Sequence, residues 1–316
     1  MVLSVLWFVL VAVLFVGFFF LEGFDYGVGT LLPFLGRTDD ERRQILRTIG
    51  PVWGGNEVWM ITAGGALFAA FPNWYATLFS GLYVALFLML LALIGRGVAV
   101  EFRPHDARPG WRAFWDWVFF AGSAVPALLW GVALGNLAHG VPIDARMQYA
   151  GTFWTLLNPY ALVGGVALLL LFLFHGALFL SLKLEGELAT RARRAAAVAG
   201  ALVVPAFALL AALSHSQTDF FAKAGPGVLL WLLVLVLLGA WGLARSHRPG
   251  WAFAASGLAV VAYTAAVFWG MFPRVLISSL DPAWSLTVFN SSSSPYTLKV
   301  MTIAALTLVP VVLLYQ

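Results

Sequence analysis

The chain has 316 residues, of which 62% are hydrophobic and 10% are charged, and its mean hydropathy is +0.92. Soluble domains contain about a quarter charged residues, so this composition excludes a compact soluble fold and predicts an integral membrane protein of the all-α class. The chain has no cysteine, which excludes disulfides, a thiolate zinc site and an iron–sulfur cluster. Its pI of 9.6 raises nucleic acid as a partner, and the positions of the basic residues test that hypothesis.

Nine apolar stretches are long enough to cross a bilayer, which takes roughly 20 residues. The first, VLSVLWFVLVAVLFVGFFFL, lacks a basic n-region and a small-residue cleavage site, so we interpret it as a mature helix and not as a signal peptide. Only Pro72 and Asn73 separate the second stretch from the third, which predicts a tight helical hairpin. We interpret residues 1–316 as a single transmembrane domain with helices near 3–23, 51–72, 74–95, 112–136, 160–182, 195–214, 226–244, 250–270 and 297–315.

The basic residues are divided unequally between the two sides of the predicted bundle. The connections after the first, third, fifth and seventh spans hold fourteen of the 18 lysines and arginines, and the other side holds Arg146, Lys223, Arg274 and Lys299. By the positive-inside rule, the N-terminus is outside and the C-terminus is cytoplasmic. This topology accounts for the basic pI, so no nucleic-acid partner is expected. The fourteen are Arg37, Arg42, Arg43, Arg47, Arg96, Arg103, Arg108, Arg112, Lys183, Arg191, Arg193, Arg194, Arg245 and Arg248.

Three carboxyl groups fall in the cytoplasmic half of the first two predicted spans. Glu22 and Asp25 lie in LEGFDYGVG at the predicted end of the first helix, and Glu57 lies in WGGNEVW. Glu57 is expected about 10 Å inside the second helix if that helix begins near Gly50. A charged carboxylate inside a membrane costs a few kcal/mol, so such groups usually face protein or water and have a function.

Two interpretations of Glu57 are open. Desolvation favours a neutral carboxyl group, so Glu57, with Asp25 and Glu22, is a candidate for a path that exchanges protons with the cytoplasm. Alternatively, Glu57 accepts hydrogen bonds that lock the helical hairpin. The surrounding side chains, Trp53, Asn56 and Trp59, are structural or interface candidates, with Trp53 the more typical membrane-interface aromatic.

Other polar residues of the predicted spans have simpler interpretations. Gly54 and Gly65 share one helix face and would permit close helix approach. Asp116 lies one turn after Arg112, which favours an i,i+4 ion pair. Arg96 and Arg103 flank the inner end of the third span, where either can neutralise Asp25 or extend toward the interface.

The histidines test whether the chain holds a haem. Haem in a helical bundle usually needs an axial His, often with a facing His or Met. His175 is the one histidine predicted to lie deep in a span, so we expect it to bond within the bundle or to a partner. No metal-ligand spacing and no self-contained catalytic motif is present, so we expect no metal site and no catalytic residue in this chain.

Several polar and glycine-rich blocks resemble subunit II of the cytochrome bd quinol oxidase family. They are GFDYGVGTLLPFLGR at 23–37, PVWGGNEVWMITAGGALFAAFP at 51–72 and LFSGLYVALFLMLLALIGRG at 78–97. Further blocks are WDWVFFAGSAVPALLWGVALGNLAHGVP at 115–142, LLNPY at 156–160, MFP at 271–273 and SSSPYTLKVMT at 292–302. The resemblance extends over essentially the whole chain in order.

The resemblance implies a nine-helix subunit of a respiratory enzyme in the bacterial or archaeal plasma membrane. In that family, haems b and d and the quinol-oxidising loop belong to a related subunit I, and the complex reduces oxygen to water with protons from the cytoplasm. Subunit II is thought to support subunit I and contribute to a proton path, and some members hold a structural quinone in a hydrophobic cleft. The expected partners are therefore subunit I, quinone and membrane lipid; the sequence leaves open whether a small accessory subunit is present.

One departure from the family pattern concerns the proton path. Some members have an acid directly after the first tryptophan of the WxGNxVW motif, where this chain has Gly54. Glu57 follows three residues later on the same helix face, so it can take over that role about one turn deeper. The path can equally begin elsewhere.

Two other functions compete with the oxidase subunit. A proton- or ion-coupled transporter would also place acids in a helical bundle, but transporters tend to have matched Gly/Pro interruptions near the midplane. Pro126, Pro205 and Pro310 do not form such a pair. An assembly scaffold without a proton role differs from the oxidase interpretation only in whether the acids exchange protons.

Overall fold

The computed structural model describes residues 2–223 and 225–315, and this part of the chain is mostly helical. Two short antiparallel strands, β1 (Arg274–Leu276) and β2 (Leu286–Thr287), precede the last helix. The helices are α1 (Val2–Leu35), α2 (Asp39–Ile49), α3 (Trp53–Ala70), α4 (Pro72–Gly81), α5 (Tyr83–Phe102), α6 (Pro109–His139), α7 (Pro159–Lys183), α8 (Gly186–Gln217), α9 (Pro226–Arg245), α10 (Pro249–Met271) and α11 (Pro295–Tyr315).

Seven helices of the described residues are long and apolar enough to cross a membrane: α1, α5 (with the 3₁₀ turn that follows it), α6, α7, α8, α9 and α10. The chain is therefore a multi-pass membrane protein. The second predicted span corresponds to α3, which is only 18 residues long and begins with a polar stretch. The ninth corresponds to α11, which holds a shorter apolar segment. Nine crossings and the orientation of the termini stay predictions.

Helix α1 is longer than the sequence pattern indicates. The predicted span ended at residue 23, whereas α1 continues to Leu35. The glycines of GFDYGVG do not end the helix because they allow close packing: a Cβ on Gly27 would overlap the Phe172 carbonyl of α7, and one on Gly29 would overlap Ser123 of α6. Glu22 and Asp25 consequently lie inside a continuous helix, not at its end as predicted.

The tight hairpin predicted at Pro72 and Asn73 is wrong in its second arm. The third predicted span, 74–95, is divided into α4 and α5 at Leu82. Helix α4 is held by the 140–158 connection, because Thr77 donates a hydrogen bond of 2.8 Å to the Met147 carbonyl. Residues of α3 and α5, together with residues of α1, α4, α6 and α10, line a cleft of about 780 Å³.

Helix α1 is the centre of the bundle and packs against α3, α6, α7 and α10. The first half of the chain packs α5 on α6, and the second half packs α7 on α8, α8 on α9 and α9 on α10. At the end opposite the basic excess, the connections after α6 and α10 pair: the Val141 amide donates to the Ile277 carbonyl (2.9 Å), and the Ser279 amide donates to the Val141 carbonyl (3.0 Å). This pairing satisfies backbone groups that would otherwise be unpaired.

Candidate functional site

A buried arginine connects two of the acids predicted from the sequence. Arg96 of α5 donates from Nη1 to Glu22 of α1, and both side chains are 0% exposed. The same Nη1 lies 3.5 Å from Glu57 Oε1 of α3, whose side chain is 25% exposed. Three helices that are distant in sequence therefore meet at one guanidinium.

Asp25 joins this group through Asn56 and not through an arginine. The Asn56 amide Nδ2 donates a 2.7 Å hydrogen bond to Asp25 Oδ2, and both residues are buried. Arg96, for which neutralising Asp25 was one of the two expected roles, has its short contacts with Glu22 and Glu57. Glu22, Asp25, Asn56, Glu57 and Arg96 are called the acidic cluster below.

Glu57 lies nearer the helix start than the sequence indicated. Because α3 begins at Trp53, Glu57 is in its second turn, about 6 Å along the helix axis instead of about 10 Å. Glu22 and Asp25 are more deeply buried than Glu57, because α1 continues well beyond them. The acidic cluster thus runs from a partly exposed carboxyl group to two fully buried ones.

The aromatic and glycine residues around Glu57 face different surroundings. Trp59 packs on α1, where a Cβ on Gly17 would overlap its ring, and Trp53 lies close to Gly97 of α5. The expected close helix approach at Gly54 and Gly65 does not occur within the described chain, because a Cβ on either glycine would meet no atom within 4 Å. The glycine face of α3 is open.

Arg96 is also enclosed by aromatic rings that were not predicted. Its guanidinium carbon lies 4.9 Å from the ring centroid of Tyr26 and 5.7 Å from that of Phe119. Arg96 Nε and Nη2 are buried and have no hydrogen-bond partner among the described residues. In the sequence, the signal for an aromatic partner of Arg96 was Tyr26, which follows Asp25 directly in GFDYGVG.

The predicted ion pair between Asp116 and Arg112 is wrong. Asp116 is 0% exposed and accepts from Arg42 Nη1 of α2 (2.7 Å) and from Arg103 Nε (2.5 Å), while Arg112 pairs with Asp39 (2.6 Å). Tertiary partners replace the helical neighbour because α2 packs beside the start of α6. Asp39, Arg42, Arg103, Arg112 and Asp116 form a second group, the arginine–aspartate network.

Helix α2 was not predicted, because residues 37–50 are too polar to span a membrane. The TDDE run is a capping box: Thr38 Oγ1 accepts from the Glu41 amide, and Glu41 accepts from the Thr38 amide. A hydrogen bond from Arg191 of α8 holds the pKa of Glu41 below its usual value. The capping box was the signal that predicts this helix.

His175 lies fully buried between α1, α7 and α10. Its Nδ1 is 2.7 Å from Ser256 Oγ, and its ring stacks on Phe253 with centroids 4.4 Å apart. Phe20 and Phe24 are the other ring neighbours, at 5.7 and 6.1 Å. Its Nε2 is buried and has no hydrogen-bond partner among the described residues. The described residues contain no group of three or more acidic or histidine side chains arranged for a metal ion.

The cleft between α3 and α5 is almost wholly apolar. Its lining includes Phe15, Leu67, Trp74, Leu86 and Trp130. Trp74 is 1% exposed, and its indole Nε1 has no hydrogen-bond partner among the described residues. The cleft lining thus combines a large apolar surface with two tryptophans, Trp74 and Trp130, whose indole N–H groups have no hydrogen-bond partner among the described residues.

Comparison with known proteins identifies the family. Residues 3–316 match the model of cytochrome bd terminal oxidase subunit II. The chain is 48% identical over 310 residues to "Cytochrome bd ubiquinol oxidase subunit 2" of Bacillus subtilis (98% of this chain, 92% of the relative). It is 40% identical over 349 residues to "Cytochrome bd-I ubiquinol oxidase subunit 2" of Escherichia coli K12 (99% and 92%).

A solved structure gives the same architecture. The fold matches a chain of the bd oxidase from Geobacillus thermodenitrificans with a TM-score of 0.75, at 18% identity, over 100% of this chain and 98% of that chain. The resemblance stated from the sequence blocks is confirmed, and a transporter is not favoured. The chain belongs to the cytochrome bd terminal oxidase subunit II family.

Proposed function

We propose that this chain is the haem-free subunit of a quinol:oxygen oxidoreductase, in which it supports a haem-bearing subunit I and contributes to the path that brings protons from the cytoplasm. The observation that best supports this function is the acidic cluster. It joins the partly exposed Glu57 to the fully buried Glu22 through Arg96. The enzyme belongs in the plasma membrane, with the basic end of the bundle at the cytoplasm.

The composition of the acidic cluster supports proton handling. The cluster has three carboxyl groups and one cation, Arg96, which contacts Glu22 and Glu57, so the group can hold a proton without an additional counter-ion. Buried polar atoms normally bond to protein or to ordered water. Arg96 Nε and Nη2 are positions where water would complete a route between the carboxyl groups.

The open face of α3 supports a partner subunit beside Glu57. A Cβ on Gly54 or Gly55 would meet no atom within 4 Å among the described residues, and Val58 on the same helix is 48% exposed. Small residues let helices from two subunits approach closely in a membrane. Subunit I at this face would lie directly next to the acidic cluster.

Replacing Glu57 with glutamine tests the proton path. In the assembled complex, Glu57→Gln is expected to lower quinol oxidase turnover about tenfold or more, since proton-transfer groups typically contribute about 10²–10⁴-fold. Turnover and proton uptake would be measured together with haem content. Glu101→Gln is the matched control, because Glu101 is an exposed glutamate near the C-terminal end of α5, the helix that carries Arg96. Wild-type turnover and proton uptake in a Glu57→Gln complex with full haem content would leave only the scaffold role.

We also propose that the cleft between α3 and α5 holds a structural quinone. An apolar volume of about 780 Å³ suits an isoprenoid tail, and the Trp74 indole can donate a hydrogen bond to a quinone carbonyl. A bound quinone would fill the apolar space between α3 and α5, beyond the contact of Glu57 with Arg96, and its role there would be structural.

Trp74→Phe keeps the aromatic surface and removes the donor. We expect the variant complex to retain quinone about fivefold less well, because a lost hydrogen bond is worth about 1 kcal/mol. The measurement is quinone per complex after graded detergent washing. Trp251→Phe, at a tryptophan that is 71% exposed and outside the cleft, should match the wild type. If Trp74→Phe retained as much quinone as the wild type, the Trp74 indole would not be a hydrogen-bond donor to the quinone carbonyl. If the wild-type complex contained no quinone, the proposed site would be excluded.

A further inference from the structure

The basic end of the bundle is divided into a paired half and an unpaired half. Most arginines on or beside α2, α5 and α6 have acidic partners within 4 Å, namely Arg42, Arg43, Arg96, Arg103, Arg108 and Arg112; Arg47 of α2 has none among the described residues. Five cations at the ends of α7, α8, α9 and α10 have none among the described residues. These five, called the cationic rim, are Lys183, Arg193, Arg194, Arg245 and Arg248. All five are exposed.

The packing of α8 on α9 brings two of these cations to neighbouring helix ends. Trp241 of α9 donates from Nε1 to the Ala197 carbonyl of α8 at 2.9 Å. One turn nearer the basic end, α9 carries Arg245, and α8 carries Arg193 with Arg194 as the next residue, because the helices run in opposite directions. The Arg245 guanidinium lies over the Trp241 ring at 5.2 Å.

Few acids are available to balance this charge. Glu185 and Glu187, in the turn between α7 and α8, are the acids closest in sequence, and Glu187 pairs with Arg37 at 3.8 Å. Among the described residues, Arg193 donates a side-chain hydrogen bond to the Thr190 hydroxyl, at 3.3 Å, and to no acid. His247, in the turn between α9 and α10, adds another protonatable group. Like charges held together in this way favour a bound anion.

Rows of exposed apolar side chains, called the apolar lanes, extend from the cationic rim along α8 and α9. On α8, Arg194, Val198 and Leu202 are spaced by four residues, and Val198 and Leu202 are 62% and 51% exposed. On α9, Leu238 and Leu235 are 46% and 62% exposed. A small anion would use only the cations, whereas a phospholipid would use both the cations and the lanes.

We propose that the cationic rim is a binding site for an anionic phospholipid, with the phosphate on Arg194 and Arg245 and the acyl chains along α8 and α9. Tryptophan and arginine at this depth match the interfacial region of a bilayer. Each surface lysine or arginine contributes about fivefold to the affinity for anionic lipid. The site differs from the acidic cluster and from the α3–α5 cleft, and it does not depend on the proposed proton path.

Native mass spectrometry of the delipidated oxidase complex tests the site. Phosphatidylglycerol would be titrated into the wild type and into the double variant Arg194→Gln/Arg245→Gln, with phosphatidylcholine of the same chains as the neutral lipid. We expect the affinity for phosphatidylglycerol to fall about 25-fold in the double variant, and that for phosphatidylcholine to stay unchanged. Both arginines are exposed, so the variant should fold, and unchanged haem content and melting temperature verify this.

Arg47→Gln is the matched control, since Arg47 is exposed at the same end on α2 and has no acidic partner among the described residues. Wild-type affinity in the double variant would overturn the proposal, as would an equal loss in Arg47→Gln. Inorganic phosphate provides the third arm. If it bound the wild type as tightly as phosphatidylglycerol and through the same arginines, the site would be one for free phosphate and not for lipid.

Discussion

Replacing Arg96 with glutamine is expected to destabilise the chain by about 3–5 kcal/mol, the typical cost of removing one partner of a buried ion pair. Glu22 would then be a buried carboxylate without a cation, since both side chains are 0% exposed. Glu57 would lose its contact as well. The yield of assembled complex and its melting temperature in detergent measure the effect.

A second replacement separates the ion pair from packing. Glu22→Gln in the Arg96→Gln background removes the uncompensated charge, so the double variant should be more stable than Arg96→Gln alone. Arg43→Gln is the control, because Arg43 pairs with Asp40 at the surface and such pairs are worth less than about 1 kcal/mol. If Glu22→Gln restores nothing, the loss comes from the packing of Arg96 on Tyr26 and Phe119.

Replacing Asp116 with asparagine is expected to cost about 3 kcal/mol and to loosen α2. Asp116 is the buried anion between Arg42 of α2 and Arg103 after α5, at 2.7 and 2.5 Å. Asparagine keeps the size of the side chain but removes its charge, and it directs an amide at one guanidinium. Hydrogen exchange of residues 39–49 should become faster, because Arg42 would lose its buried acceptor.

Asp40→Asn is the matched control for this prediction. Asp40 lies on α2 itself and pairs with Arg43, but its side chain is 78% exposed. Removal of its charge should leave the exchange of α2 and the melting temperature close to wild type. If the hydrogen exchange of α2 were unchanged in Asp116→Asn, the packing of Ile45 and Ile49, the two buried side chains of α2, would be enough to hold the helix without the arginine–aspartate network.

The helical membrane class followed from composition and the length of the apolar stretches. Most helix centres were predicted, because hydropathy depends on the bilayer and not on neighbouring helices. The boundaries of α1 and the division of 74–95 were not predicted. The glycines at 27 and 29 and the contact of Thr77 with the 140–158 connection act through residues far away in sequence.

The sequence by itself determined that this protein lies in a membrane, that one end is basic and that Glu22, Asp25 and Glu57 are costly side chains needing partners. Only the tertiary structure decided which partners they have. The local i,i+4 spacing predicted an ion pair between Arg112 and Asp116, whereas in the folded chain Asp116 pairs with Arg42 and Arg103. The physical reason is that a buried charge is stabilised by whichever opposite charge the packing of helices brings to it, and that packing joins α1, α3 and α5 at Arg96.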